Sequence, residues 1–237
     1  MKELTIGIDI GGTNTKYGIV DREGHVVFQG SIKTTHYEEF RDYFKGLAQA
    51  LRDAMAQIQF DHKVLGVGVG AANGNYYKGT IERATNLPWK GIIPLADMIR
   101  EEFNIPAIIT NDANAAAVGE MVYGSAKGMR DFIVITLGTG LGSGFVSNGQ
   151  LLNGKHGIAG EVGHTSVNPA GRFCNCGKRG CLETYVSATG IRRTVYKLLA
   201  DHLEDSELRG ISFDNLNTKM ITDAAVRGDV VALAAFE

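Results

Sequence analysis

The sequence predicts an α/β protein of two domains, each opening with the same strand–glycine turn–strand unit. Three observations carry this. A β-branched alternation over residues 4–10 runs into Gly11-Gly12-Thr13-Asn14. The pattern returns over 131–137, followed by Gly138-Thr139-Gly140 and a further strand to Val146. Between the copies, short apolar runs alternate with apolar residues at helical spacing, the order of a mixed α/β domain.

Taken in order, Leu4-Thr5-Ile6-Gly7-Ile8-Asp9-Ile10 alternates and reads as a strand. Residues 16–20 and 25–31 read as two more strands around the turn Arg22-Glu23-Gly24, which makes a meander. Phe40, Phe44, Leu47, Leu51, Met55 and Ile58 share one face of a helix predicted over 37–58. Residues 64–69 form a buried strand, and 95–103, 107–110 and 113–123 give helix, strand and helix. After the second hairpin a helix is predicted over 188–203, with Ile191, Val195, Leu198 and Leu199 on one face, and a last helical pattern runs to Glu237. The first copy has later strands on which its helices can pack; the second has none, and an apolar helical face needs cover. The second domain is therefore expected to be truncated, short of about 60–80 residues of βαβα.

Bulk properties exclude several classes. The chain has 237 residues, 44% hydrophobic and 21% charged, enough for a sizeable core. A net charge of −2, with no basic block, gives no electrostatic case for nucleic acid or a membrane surface. The apolar N-terminal run carries Asp9 and does not read as a signal peptide. No apolar stretch reaches the length of a membrane span. The three cysteines fall in one turn, which fits a reducing, cytoplasmic setting better than a disulfide framework.

That turn, Cys174-Asn175-Cys176-Gly177-Lys178-Arg179-Gly180-Cys181, is the most specific motif. Its thiolates can converge on one tetrahedral ion, and His164 completes a closed Cys3His zinc site. Glu161 and Glu183 flank it, so a structural zinc would hold those carboxylates still. A zinc hydrolase is disfavoured, because a catalytic zinc keeps a position open for water.

The glycine turns offer backbone amides to phosphate oxygens. Gly138 to Gly142 has a dinucleotide-type spacing, but both turns open a second strand instead of a helix, which rejects the nicotinamide reading. Asp9 sits near the end of a strand expected to be buried, where a carboxylate needs a partner such as nucleotide-borne Mg²⁺. Asn111-Asp112 opens an alanine-rich helix. Asp112 is either its cap or, beside a phosphate cradle, a general base for a sugar hydroxyl. Asn86, Glu161, His164 and Glu183 supply the amides and carboxylates that recognise sugar hydroxyls.

Asp9-Ile10-Gly11-Gly12-Thr13, Leu137-Gly138-Thr139-Gly140-Leu141-Gly142, Gly160-Glu161-Val162-Gly163-His164 and the cysteine run, in this order, closely resemble the ROK family (repressors, open reading frames, kinases). The resemblance covers essentially the whole chain. It implies a two-domain actin-like ATPase (ribonuclease H-like) fold, divided at 1–110 and 111–237, with the adenosine-binding segment expected beyond Glu237. It implies ATP-dependent phosphorylation of a hexose at the 6-hydroxyl, with glucose ahead of N-acetylglucosamine, N-acetylmannosamine and fructose. Asp112 matches the catalytic base, with Asn111 beside it. Asn86, Glu161, His164 and Glu183 match sugar contacts. Asp9 matches the metal and phosphate side; Gly11, Gly12, Thr13, Asn14 and Lys16 match the first phosphate segment. Gly138, Thr139, Gly140 and Gly142 match the second. His164 doubles as zinc ligand with Cys174, Cys176 and Cys181. ATP, Mg²⁺ and structural Zn²⁺ are the implied cofactors, and a homodimer the implied assembly. Where the family often reads Pro-Gly after the strand ending at Val69, this chain reads Gly70-Ala71-Ala72-Asn73-Gly74. Repressor relatives carry a helix-turn-helix ahead of the sugar-binding fold; the first strand here begins at Leu4, which disfavours that reading.

Overall fold

The computed structural model describes residues 1–84 and 86–237. The chain forms two compact units: Met1–Val134 with Gly144–Gly160, and Ile135–Ser143 with Glu161–Glu237.

The first unit is built on a five-stranded sheet of order β3-β2-β1-β4-β8. Its strands are β1 (Lys2–Ile10), β2 (Asn14–Asp21), β3 (Val26–Lys33), β4 (His62–Ala71) and β8 (Ala107–Thr110). The first three form the expected antiparallel meander, and β4 and β8 add to β1 in parallel. Register puts Ile6 beside Val67 and Ile8 beside Val69, with Val69 beside Ile109. These residues are buried and belong to one core cluster with Tyr43, Leu47 and Leu51 of α1 (Phe40–Ala56) and Leu95 and Ile99 of α2 (Leu95–Phe103). The alternation in β1 therefore sends its isoleucines into the core and Thr5, Gly7 and Asp9 to the other face. The expected burial of Asp9 is thus corrected: strand period two places it on the open side. On that face α3 (Asp112–Val122) approaches β4, where a Cβ at Gly70 would lie a tight 3.2 Å from the methyl of Ala115.

The helix expected over 37–58 is shorter. Residues Thr34–His36 make a 3-10 turn, Tyr37 and Glu39 are extended, and α1 starts at Phe40. The chain leaving β3 must turn before its apolar face can meet the sheet. A small sheet of order β5-β6-β7 lies between β4 and α2: β5 (Gly74–Asn75), β6 (Thr80–Glu82) and β7 (Ile92–Ile93). Strands this short carry no readable alternation.

The second hairpin also forms as expected. β9 (Phe132–Leu137), β10 (Leu141–Ser147) and β11 (Gln150–Leu151) lie in the order β11-β10-β9, repeating β3-β2-β1. In the second unit α4 (Glu183–Val186), α5 (Ala188–Asp201), α6 (Thr218–Val226) and α7 (Val230–Ala234) follow the cysteine turn. Caps explain where three of them start. Ser187 accepts from the Gly190 amide, Asn217 from Met220 and Asp229 from Ala232. Val195, Leu208, Leu216, Ile221 and Val231 form their shared core. Among the described residues no helix is long and apolar enough to cross a membrane.

Candidate active site

In the first unit, the first glycine turn is closed by the Gly11 amide donating to the Asn14 carbonyl at 3.1 Å. The chain then enters β2, not a helix, as the sequence indicated. Gly12 is obligatory for steric reasons: a Cβ there would meet the Asn86 carbonyl oxygen at 2.5 Å. The turn and the Asn86 loop are thus packed backbone against backbone. Thr85, which precedes Asn86, lies outside the described residues. Lys90 fastens the loop, its Nζ donating to the carbonyls of Ala84 and Leu87 at 3.3 and 3.0 Å.

Asp9 and Lys16 are paired across the β1–β2 ladder. Asp9 lies on the exposed face, yet the protein around it desolvates the carboxylate enough to raise its pKa. The Asp112 charge raises it further, and Lys16 only partly offsets the two. Two carboxylates with one lysine leave negative charge in excess, an arrangement that a divalent cation would relieve. The residues present therefore fit Mg²⁺, with Asp9 the residue to hold it.

Asn111 and Asp112 share the start of α3. The Asn111 side-chain oxygen accepts from the Asn114 amide at 2.6 Å and is the N-cap of α3. Asp112 is the first helical residue, exposed, its Oδ1 accepting from its neighbour Ala113 at 2.9 Å. A carboxylate so placed is held by the helix N-terminus and remains accessible. Asn111, whose oxygen is committed to the cap, retains its NH2 as a donor. Gly74 lies against this segment too close for a Cβ to clear the Thr110 carbonyl. That is where the Asn73-Gly74 departure from the family pattern falls.

In the second unit, the Gly138 amide donates to the Gly140 carbonyl at 3.0 Å, and β10 follows directly. Glu183 reaches this turn: its Oε2 accepts from the Leu141 amide at 2.9 Å. Nothing in the sequence announces that bond, since the partners are 42 residues apart. Ser143 Oγ likewise accepts from the Val162 amide at 3.3 Å, steadying the start of the 3-10 turn Val162–His164 that follows Glu161. Arg172, also unforeseen, donates to the carbonyls of Thr184 and Gly190 and to Thr194 Oγ1, and so staples the cysteine turn to α4 and α5.

His164, Cys174, Cys176 and Cys181 converge, with one ligand atom from each lying within 4.8 Å of the others. Cys174 Sγ is 3.6 Å from His164 Nδ1, and Cys176 Sγ is 3.6 Å from Cys181 Sγ. A tetrahedral ion bound by sulfur at about 2.3 Å spaces its ligands about 3.8 Å apart. The cluster has that spacing, and all three thiols are free. Burial, together with the neighbouring thiols, pushes the Cys181 thiol up to about 12, which a bound dication would reverse. Gly180, at φ +70°, has no space for a Cβ against the Asn168 carbonyl, so the turn is fixed by sterics as well as by ligands.

The ROK family profile matches residues 5–237. The chain belongs to the ROK family. Among ROK relatives, a glucokinase of Halalkalibacterium halodurans is 38% identical over 98% of this chain and 71% of its own. A xylose repressor of Caldicellulosiruptor bescii is 32% identical over 97% of this chain and 58% of its own. A ROK glucokinase from Streptomyces griseus, solved with glucose and AMPPNP, superposes with a TM-score of 0.75. It is 36% identical over 98% of this chain and 74% of that one. The actin-like ATPase fold expected from the motifs is the fold of this ROK chain.

Proposed function

We infer that this ROK protein is an ATP-dependent hexose kinase that phosphorylates the 6-hydroxyl of glucose, a glucokinase. The observation that carries this reading is Asp112. It is exposed at a helix N-terminus whose N-cap is Asn111, with its own Oδ1 on the Ala113 amide. Its charge acts on Asp9, which lies in the same unit. The likeness to glucokinases, one of them solved with glucose and AMPPNP, supports it.

Phosphoryl transfer needs positioning, charge neutralisation and an oriented nucleophile. Asp112 accepts the proton of the sugar 6-hydroxyl as that oxygen bonds to the terminal phosphorus of ATP and the bond from that phosphorus to the bridging oxygen breaks, ADP leaving. For the hexose, the first unit offers Asn86 and the Asn111 NH2, and the second unit offers Glu161, His164 and Glu183. The turn Gly11-Gly12-Thr13-Asn14, with Lys16, and the turn carrying Gly138, Thr139, Gly140 and Gly142 take phosphate oxygens on amides other than those of Gly11 and Gly138, which close the turns themselves. Mg²⁺, held on the Asp9 side, neutralises phosphate charge when bound. Zn²⁺ on His164, Cys174, Cys176 and Cys181 is structural, because four protein ligands close its shell. A homodimer in the cytoplasm belongs to the same reading.

ADP release with Mg-ATP against glucose, N-acetylglucosamine, N-acetylmannosamine and fructose tests it. Strong turnover on glucose is expected. Turnover confined to another sugar reassigns the substrate. No turnover on any, with glucose still bound, favours a sugar-sensing repressor, the reading that the similarity to the xylose repressor supports.

A further inference from the structure

Beneath the first glycine turn lies a closed set of hydroxyls. Thr15 Oγ1 is 2.9 Å from Thr34 Oγ1 and 2.8 Å from the Tyr43 hydroxyl. Thr15, Thr34 and Tyr43 are all fully buried. Thr15 immediately follows the turn, and the Thr34 amide donates to the Thr13 carbonyl at 2.9 Å. The turn is therefore gripped from both strands, and Tyr43 of α1 is the outside residue that joins the two grips. A buried hydroxyl without its partner costs more than the bond itself contributes, so the three are tied as a set.

Tyr43 has a second attachment. Its ring lies 4.3 Å from that of Trp89, centroid to centroid, tilted at 40°. Phe40 closes on Trp89 edge-on at 5.2 Å. Trp89 ends the loop that begins at Asn86, and its buried indole N–H has no acceptor among the described residues. Ring packing, not a polar bond, thus holds the Trp89 side chain. The same Tyr43 therefore touches the support of the phosphate turn with its hydroxyl and the Asn86 loop with its ring. Gly12 and Asn86 meet directly on the other side of this arrangement.

We propose that Tyr43 is a positioning residue that couples the first phosphate turn to the Asn86 hexose loop through its bond to Thr15 and its contact with Trp89. The coupling rests on the hexose-kinase reading above. Tyr43 itself touches no substrate and acts through the backbone of Gly11–Asn14. Its hydroxyl titrates above the ordinary tyrosine range because it is buried, so it stays protonated throughout.

The test is Tyr43→Phe in the full-length protein. It keeps the ring on Trp89 and removes only the hydroxyl. Amide exchange at Gly11–Asn14 is expected to quicken, and kcat/KM for Mg-ATP to fall about tenfold, the usual order for one buried hydrogen bond. KM for the hexose should change less, and the melting temperature should fall by roughly 2–8 °C. Unchanged exchange at the turn with unchanged kinetics would overturn the proposal and leave Tyr43 as core packing. Should Tyr43→Phe fold poorly, Thr15→Val removes the Tyr43 bond together with the Thr34 bond and must give both effects at least as strongly. If the unaltered protein phosphorylates no hexose, the kinase reading fails by itself, and the exchange rates at Gly11–Asn14 alone decide whether Tyr43 holds the turn.

Discussion

The Asn111 side-chain oxygen accepts the Asn114 amide hydrogen at 2.6 Å as the N-cap of α3, and Asp112, next in the chain, takes only the amide of its neighbour Ala113. An Asn-Asp pair at a helix start offers two residues for one capping job, and the structure gives that job to the first. Asp112→Asn is therefore expected to leave the fold and hexose binding intact while kcat falls about 10²- to 10⁴-fold, the range for a lost general base. Asn111→Ala should instead cost about 1 kcal/mol of stability. Steady-state kinetics and thermal melting separate the two effects; an active Asp112→Asn enzyme would remove Asp112 as the base.

Asp9 carries a raised carboxyl pKa, from desolvation first and the Asp112 charge second. Ionisation is thus harder in the fold than in the unfolded chain. Its contribution favours folding below the ordinary carboxylate pKa of about 4 and is lost as pH rises through the raised value. At pH 7, without nucleotide, Asp9→Asn should melt higher than the natural protein, and the gap should close toward acid pH. The same substitution should abolish most Mg-ATP turnover. A variant that melts lower at pH 7 would contradict the charge argument.

Glu183, the proposed hexose contact, accepts from the Leu141 amide of the second glycine turn. Glu183→Ala removes a charge-assisted bond worth about 1.5–3 kcal/mol, so kcat/KM should drop roughly 10- to 100-fold. KM for Mg-ATP should rise along with KM for glucose. Glu183→Gln, whose amide oxygen can still accept from Leu141, should retain more of the ATP affinity. Equal loss of ATP affinity in both variants would break the link.

The Cys3His cluster predicts about one zinc per chain by elemental analysis. Prolonged chelation should lower the melting temperature by roughly 10 °C, since metal affinity is folding free energy at such a site. Cys176→Ser should copurify with far less zinc. Full zinc content in that variant would exclude Cys176 as a ligand.

Much of this was legible because the signals are local. The alternation in residues 4–10, the glycine turns that open strands and the clustered cysteines each sit within a few residues. The open-face position of Asp9 was misjudged because the strand was taken as buried on both sides. Its isoleucines occupy every second position and only one face is core. The extended stretch before α1 and the short strands β5 to β7 escaped notice because a turn imposed by neighbouring strands leaves no periodicity.

By itself, then, the sequence determined the duplicated strand–glycine turn–strand unit and the three clustered cysteines with His164, because turn chemistry and side-chain period act between near neighbours. Only the tertiary structure decided that Asn111 and not Asp112 caps the helix. It alone decided that Glu183 reaches Leu141, and that Thr15, Thr34 and Tyr43 close on one another beneath the turn. The last two arrangements join residues distant in the chain, and the first is a choice between adjacent residues equally able to cap. Both are settled by how the backbone packs once the sheet and helices are in place.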